Sequence, residues 1–69
     1  MMKEVTVDLT DSDGNSILAL VEYNTAYPRD YKVITASVFV NGEWHIINNC
    51  VMIQAQYPKE ILKCLLEMT

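Results

Sequence analysis

The sequence predicts an α+β fold, a four-stranded antiparallel β-meander with one C-terminal helix packed on one face. Three observations support this prediction. Asn41-Gly42 separates two apolar-rich segments and suits a type I′ turn, because both residues accept positive φ angles. Residues 3–10 alternate apolar and polar side chains, as a half-buried strand does. After Pro58, apolar residues recur at helical spacing.

The four strands are predicted over about residues 3–10, 17–23, 31–40 and 43–56. Asp13-Gly14 is a second candidate for a type I′ turn and would join the first two strands. Pro28 cannot donate a hydrogen bond to a sheet, so the segment around it is predicted to be the loop before the third strand. The third and fourth strands flank Asn41-Gly42.

The helix is predicted over about residues 58–68, because Pro58 suits the first helical position, where its missing N–H costs nothing. Its apolar stripe consists of Ile61, Leu62, Leu65 and Leu66. A helix of about three turns is unstable alone in water, so we expect it to dock on the sheet. Residues 1–69 then make one small domain.

The two turns also predict which side chains share a face of the sheet. The more aliphatic face, where we expect the helix, carries Ile34, Ala36, Val38 and Ile47. The opposite face carries Phe39, Trp44 and Ile46. A two-residue turn at Asp13-Gly14 gives a matching division of the first hairpin, with Val5, Val7, Leu9, Leu18 and Leu20 on one face. The same turn places Ile17, Val21 and Tyr23 on the face that carries Phe39 and Trp44, called here the aromatic face.

A face this apolar, opposite a single helix, has three explanations. A one-residue register shift, or a bulge at Asn48-Asn49, would move some of its residues into the core. Alternatively, another protein or a second copy of the chain buries the face, because exposed apolar patches mark interaction sites. Strand swapping between chains is the third explanation.

Composition narrows the class of protein. An apolar fraction of 51% excludes a disordered chain. A domain of this length gains only about 3–5 kcal/mol from its core, so surplus apolar surface suggests a partner. The net charge is −4 and the five basic residues are scattered, so we expect no nucleic-acid binding. No segment approaches the ~20 apolar residues of a membrane span, so we expect no membrane association either.

The cysteine pattern and the amino terminus predict a cytoplasmic protein. If the protein is virus-encoded, the expected compartment is the cytoplasm of the host cell. Cys50 and Cys64 do not form a C-x-x-C pair, and the start of the chain passes directly into a strand pattern rather than a signal peptide. Free thiols are therefore expected.

The residue types needed for catalysis or metal binding are poorly spaced. His45 is the only histidine, and Gly14 and Gly42 are the only glycines, both needed for turns. Asp11 and Asp13 resemble the start of a calcium loop, but Gly14 is the fourth residue of a loop that begins at Asp11 rather than the sixth. We therefore expect no catalytic residue, no metal and no cofactor, and we predict that the protein is not an enzyme.

The loop around Pro28 is the most suggestive segment for binding. Tyr27, Arg29 and Tyr31 are residue types enriched at binding hot spots, on a loop that Pro28 stiffens. Together with the aromatic face they give the predicted partner-binding residues, Tyr27, Arg29, Tyr31, Phe39, Trp44 and Ile46.

These features predict a small acidic protein–protein interaction module. We expect a stand-alone regulator or inhibitor that occludes a surface of a larger protein, as many small virus-encoded blockers do. The alternative is a homodimeric structural or adaptor protein that uses the second sheet face to bind a copy of itself.

Overall fold

The computed structural model describes residues 1–68, so Thr69, the last residue of the predicted domain, lies outside the described residues. The elements are β1 (Met2–Thr10), β2 (Ser16–Asn24), β3 (Tyr31–Val40), β4 (Glu43–Ile46), α1 (Cys50–Gln56) and α2 (Pro58–Glu67). The strands form one antiparallel sheet in the order β1-β2-β3-β4. The predicted α+β meander is confirmed, with two short helices in place of one.

The β3–β4 hairpin has the predicted turn. Asn41 and Gly42 have φ angles of 53° and 80°, as a type I′ turn requires. Phe39 pairs with Trp44 across the two strands. The faces predicted for Val38 and Phe39 are therefore the observed ones, with Val38 on the helix side.

The β1–β2 turn differs from the prediction by one residue, and this reverses the faces of β2. Thr10 pairs with Ser16 rather than with Ile17. A type I′ turn needs positive φ at both Asp13 and Gly14, but of these two only Gly14 has it, at 84°.

Hydrogen bonds to Asp11 explain the longer loop. The Asp11 carboxylate accepts hydrogen bonds from the backbone N–H of Asp13 at 2.9 Å and of Asn15 at 2.8 Å. The backbone N–H of Gly14 donates to the Asp11 carbonyl at 3.1 Å. Because side chains alternate along a strand, the shift turns Ile17, Val21 and Tyr23 into the core, where all three are buried. Their predicted place on the aromatic face was wrong.

A β-bulge in β3 changes the predicted alternation of faces along that strand. Leu20 pairs with Thr35 and Val21 with Val33, so Ile34 is the extra residue without a partner on β2. The bulge therefore lies in β3, not at Asn48-Asn49. It changes which positions face inward, from Ala36 and Val38 after the bulge to Tyr31 and Val33 before it. Val33 is buried as a result.

The fourth strand is much shorter than the predicted 43–56, because residues 50–56 form α1. The Asn49 side chain caps this helix by accepting a hydrogen bond from the Met52 N–H at 3.2 Å. Cys50 and Ile53, one helical turn apart, both contact the core. An apolar stretch of this length is equally compatible with a strand. The Asn49 cap and the core contacts of Cys50 and Ile53 favour the helix.

Both helices pack on the same side of the sheet, α1 over β3 and α2 over β1. Pro58 begins α2 as predicted. The buried core residues are Val7, Leu9, Ile17, Ala19, Val21, Tyr23, Val33, Ala36, Ile53, Ile61 and Leu65. Within the described chain this core contains no polar or charged residue. The helical stripe is only partly sheltered, since Ile61 and Leu65 are buried and Leu66 is exposed.

The Gln54 side chain covers an exposed edge of β3. β4 pairs only with the part of β3 from Ser37 onward. Next to Tyr31 and Val33, the Gln54 carboxamide accepts from the Val33 N–H at 3.1 Å and donates to the Tyr31 carbonyl at 3.3 Å. The Gln54 amide thus bonds the carbonyl of the residue before Lys32 and the N–H of the residue after it. A strand running parallel to β3 would make the same pair of hydrogen bonds. The contact satisfies backbone groups that would otherwise invite edge pairing.

Replacing Gln54 with Ala is expected to destabilise the fold by about 1–2 kcal/mol, because it leaves a partly buried N–H and a carbonyl without their partners. Urea unfolding followed by circular dichroism measures this loss. Gln56→Ala is the matched control, since it makes the same change at an exposed position of the same helix. Equal losses in the two variants would show that the carboxamide contributes nothing.

Acid should weaken the β1–β2 hairpin through Asp11. The Asn15 N–H, with further hydrogen bonds from the Asn15 side chain and the Asp13 N–H, lowers the pKa of the Asp11 carboxyl, although reduced solvation acts in the other direction. A carboxyl whose folded pKa is depressed stabilises the fold above its unfolded pKa, and this stabilisation is lost as the pH falls. We expect Asp11→Asn to flatten the fall in stability below about pH 4, the range of an ordinary aspartate carboxyl. Asp13→Asn is the matched control in the same loop, and an equal change of slope in both variants would show that the Asp11 hydrogen bonds are not the cause.

Candidate protein-interaction site

The sheet face opposite the two helices, called here the open face, carries the candidate site. Cross-strand register places its residues in rows. One row contains Thr6, Leu20 and Thr35. The next row contains Asp8, Leu18, Ser37 and Ile46. Phe39 and Trp44 form a cross-strand pair beyond it. Neither α1 nor α2 covers these residues, because both helices pack on the core side.

Large apolar side chains on the open face are exposed. Trp44 is 49% exposed, Phe39 40% and Ile46 78%. The centroids of the Phe39 and Trp44 rings lie 5.0 Å apart, and the ring planes are tilted by 56°. Aromatic pairs favour this geometry over face-to-face stacking. Leu18 and Leu20 are half-buried beside them. Contiguous exposed apolar surface of this kind marks interaction sites in soluble proteins.

A shallow groove of about 340 Å³ runs between these side chains. Its lining consists of Thr6, Leu18, Leu20, Thr35, Ser37 and Trp44. The leucines and the indole provide an apolar floor, and the three hydroxyls can accept or donate hydrogen bonds. This combination of apolar centre and small polar groups is typical of a protein-binding surface.

The open face is acidic. Glu4 pairs with Glu22, which pairs in turn with Lys32, and Asp8 pairs with Leu18. Among the strand residues that the register assigns to this face, three carboxylates and one ammonium group leave a charge of −2. The field of the open face therefore favours a basic partner.

The predicted partner-binding residues do not form one surface. Phe39, Trp44 and Ile46 lie together on the open face. Tyr31 pairs with Tyr23 and packs against the core, and Arg29 lies near the start of α2. Burial raises the pKa of the Tyr31 hydroxyl, which stays protonated at neutral pH.

Tyr27 is exposed in the loop between β2 and β3. Its N–H donates to the Asn24 carbonyl at 3.1 Å and its carbonyl accepts from the Asp30 N–H at 2.9 Å. The backbone of this loop is therefore ordered by its own hydrogen bonds, and the tyrosine ring is left free for contact.

Leu18 and Leu20 belong to the open face, although the sequence reasoning placed them on the helix side. The error follows from the β1–β2 turn. The signal that could have found them is Asp11, whose side chain can accept from the backbone two residues later and favours a longer loop.

The groups that could support catalysis lie apart from one another. His45 pairs with Val38 on the helix side of the sheet and lies 4.0 Å from the Glu43 carboxylate. The Cys50 thiol donates to the Ile34 carbonyl at 3.5 Å. Within residues 1–68, no three His, Cys, Asp or Glu side chains come together as a metal site would require.

No known protein family, curated protein or solved structure matches this chain. In the part of the chain that the structure describes, neither helix has the length and apolar character needed to cross a bilayer. A function is therefore inferred from the surface geometry.

Fluorescence of Trp44, the only tryptophan, reports directly on the open face. Because the indole is about half exposed, we expect red-shifted emission and efficient quenching by iodide in the free protein. Addition of a partner that covers the face should shift the emission to the blue and protect it. A blue-shifted, unquenchable signal in dilute monomer would contradict the exposed position.

Proposed function

We propose that this protein is a small acidic interaction module, a stand-alone regulator or inhibitor that occludes a surface of a larger protein. The observation that carries the proposal is the exposed group of Phe39, Trp44 and Ile46 on a sheet face that neither helix of the described residues covers. Burial of such side chains by a partner is favourable, since each large apolar side chain contributes about 1.5–3 kcal/mol when fully removed from water.

The shape of the open face favours a macromolecular ligand. Small-molecule sites enclose most of their ligand, whereas this groove is a shallow depression across a sheet. The protein measures 38 × 18 × 18 Å, and a standard interface covers about 800 Å² per partner. Such an interface would take up nearly the whole face, from the Phe39–Trp44 pair to the Glu4–Glu22 row.

Charge favours a different protein over a second copy. Each chain carries −4, and the open face itself is acidic, so two copies placed face to face would bring like charges together. A partner with an apolar centre and a basic rim complements both properties. The larger protein would lose access to whatever that surface normally binds.

The test compares two exposed residues on opposite sides of the molecule. Ile46 is 78% exposed on the open face, and Met52 is 44% exposed on α1. We expect a partner captured from native lysate by the wild-type protein to be lost from Ile46→Lys and retained by Met52→Lys. With that partner purified, Trp44→Ala should weaken binding by about thirtyfold, the size of a hot-spot contact of about 2 kcal/mol.

Two results would overturn the proposal. Equal capture by Ile46→Lys and wild-type protein would remove the open face from binding. Sedimentation as a dimer that Trp44→Ala dissociates would show that a second copy, rather than a larger protein, occupies the face.

A further inference from the structure

A second concave surface lies on the helix side, across the sheet from the open face. One groove, of about 270 Å³, is lined by Arg29, Tyr31, Pro58, Lys59 and Leu62. Another, of about 370 Å³, is lined by Tyr31, Val51, Gln54 and Ala55. Tyr31 lines both, so the two grooves adjoin at this residue. We call them together the helix-side cleft.

The two ends of the helix-side cleft differ in chemistry. Arg29 and Lys59 place two positive charges at one end, while Val51 and Ala55 make the other end apolar. The Gln54 carboxamide is already bonded to the backbone of β3. A ligand that fits both ends needs an anionic group and an apolar group a short distance apart.

The two cations are unusual in so acidic a chain. Acidic residues outnumber basic ones by nine to five, yet neither Arg29 nor Lys59 makes an ion pair with any residue from 1 to 68. Asp30 and Glu60 are their neighbours in sequence, but in the described structure no carboxylate lines either groove. The positive charge at this end of the cleft is therefore open to a ligand.

We propose that the helix-side cleft binds a short acidic segment of a partner protein, with a carboxylate held by Arg29 and Lys59 and an apolar side chain in the groove beside Val51. The arginine can form a paired, planar contact with a carboxylate, and the lysine adds a mobile point charge. Tyr31, which lines both grooves, lies where the two ends meet. This site prefers acidic partners, whereas the open face prefers basic ones, so each is independent of the other.

The test is an NMR titration of ¹⁵N-labelled protein with the blocked peptide acetyl-Asp-Glu-Leu-Asp-Glu-Leu-amide. Its counterpart with Asn and Gln replacing the acids is the neutral control. We expect saturable shifts at the amides of Arg29, Tyr31, Val51 and Lys59 with the acidic peptide alone. The shifts should diminish with added salt, because the charges are exposed.

Variants test whether peptide binding in the helix-side cleft is independent of the open face. The double change Arg29→Gln with Lys59→Gln should weaken peptide binding about tenfold, equivalent to about 1.4 kcal/mol. Lys63→Gln removes a charge from the same helix outside the cleft and should leave binding unchanged. Ile46→Lys should also bind the peptide normally. Failure of the partner binding proposed for the open face would therefore leave peptide binding in the cleft unaffected.

Three outcomes would overturn the proposal. These are the absence of saturable shifts, equal shifts with the neutral peptide, and an equal loss of binding in Lys63→Gln. Inorganic phosphate at matched ionic strength is the remaining comparison. If phosphate alone reproduces the shifts at both ends of the cleft, the site binds anions without selecting an acidic segment, and the assignment is wrong.

Discussion

The hydrogen bonds that the Asp11 carboxylate accepts from Asp13 and Asn15 set the register between β1 and β2. In a strand, every second side chain faces the same way, so a shift of one residue exchanges the whole set. With the observed register, Ile17, Val21 and Tyr23 join the core, and Leu18 and Leu20 face outward. Both the composition of the core and the apolar character of the open face depend on this loop.

The helical layer is too small to shelter every apolar residue of the chain. The helices have seven and ten residues, and they cover one side of a sheet whose β1, β2 and β3 are nine or ten residues long. The core side holds the buried apolar residues, without a buried polar group among those described. Val51, Met52 and Leu66 on the helices stay exposed, as do Phe39, Trp44 and Ile46 on the other side of the sheet. Apolar surface in contact with water is unfavourable, and burial by a partner removes that cost.

The segment after Ile46 shows how local pattern and tertiary context compete. An apolar run with β-branched residues could continue β4 along β3, and the Ile47 N–H does donate to the Ala36 carbonyl at 2.8 Å. Beyond that bond, the Asn49 cap starts α1 and brings Ile53 into the core. Gln54 then bonds backbone groups at the edge of β3 that a longer β4 would have covered. The helix closes the edge of the sheet and at the same time forms one wall of the helix-side cleft.

Local chemistry in the sequence determined the meander, the turn at Asn41-Gly42 and the helix from Pro58, because each depends on backbone preferences of one or two neighbouring residues. The common face of Phe39, Trp44 and Ile46 followed directly from that turn, whereas their exposure is seen only in the tertiary structure. The first register had a local cause that the turn pattern alone does not reveal, since Asp11 accepts hydrogen bonds from the backbone two and four residues later. Long-range contacts decided the rest, because the bulge at Ile34 moved Val33 inward and core packing turned residues 50–56 into a helix. The tertiary structure also separated Arg29 and Tyr31 from Phe39, Trp44 and Ile46. The face that a side chain occupies depends on the hydrogen bonds between paired strands, whose residues are distant in sequence, rather than on its sequence neighbours.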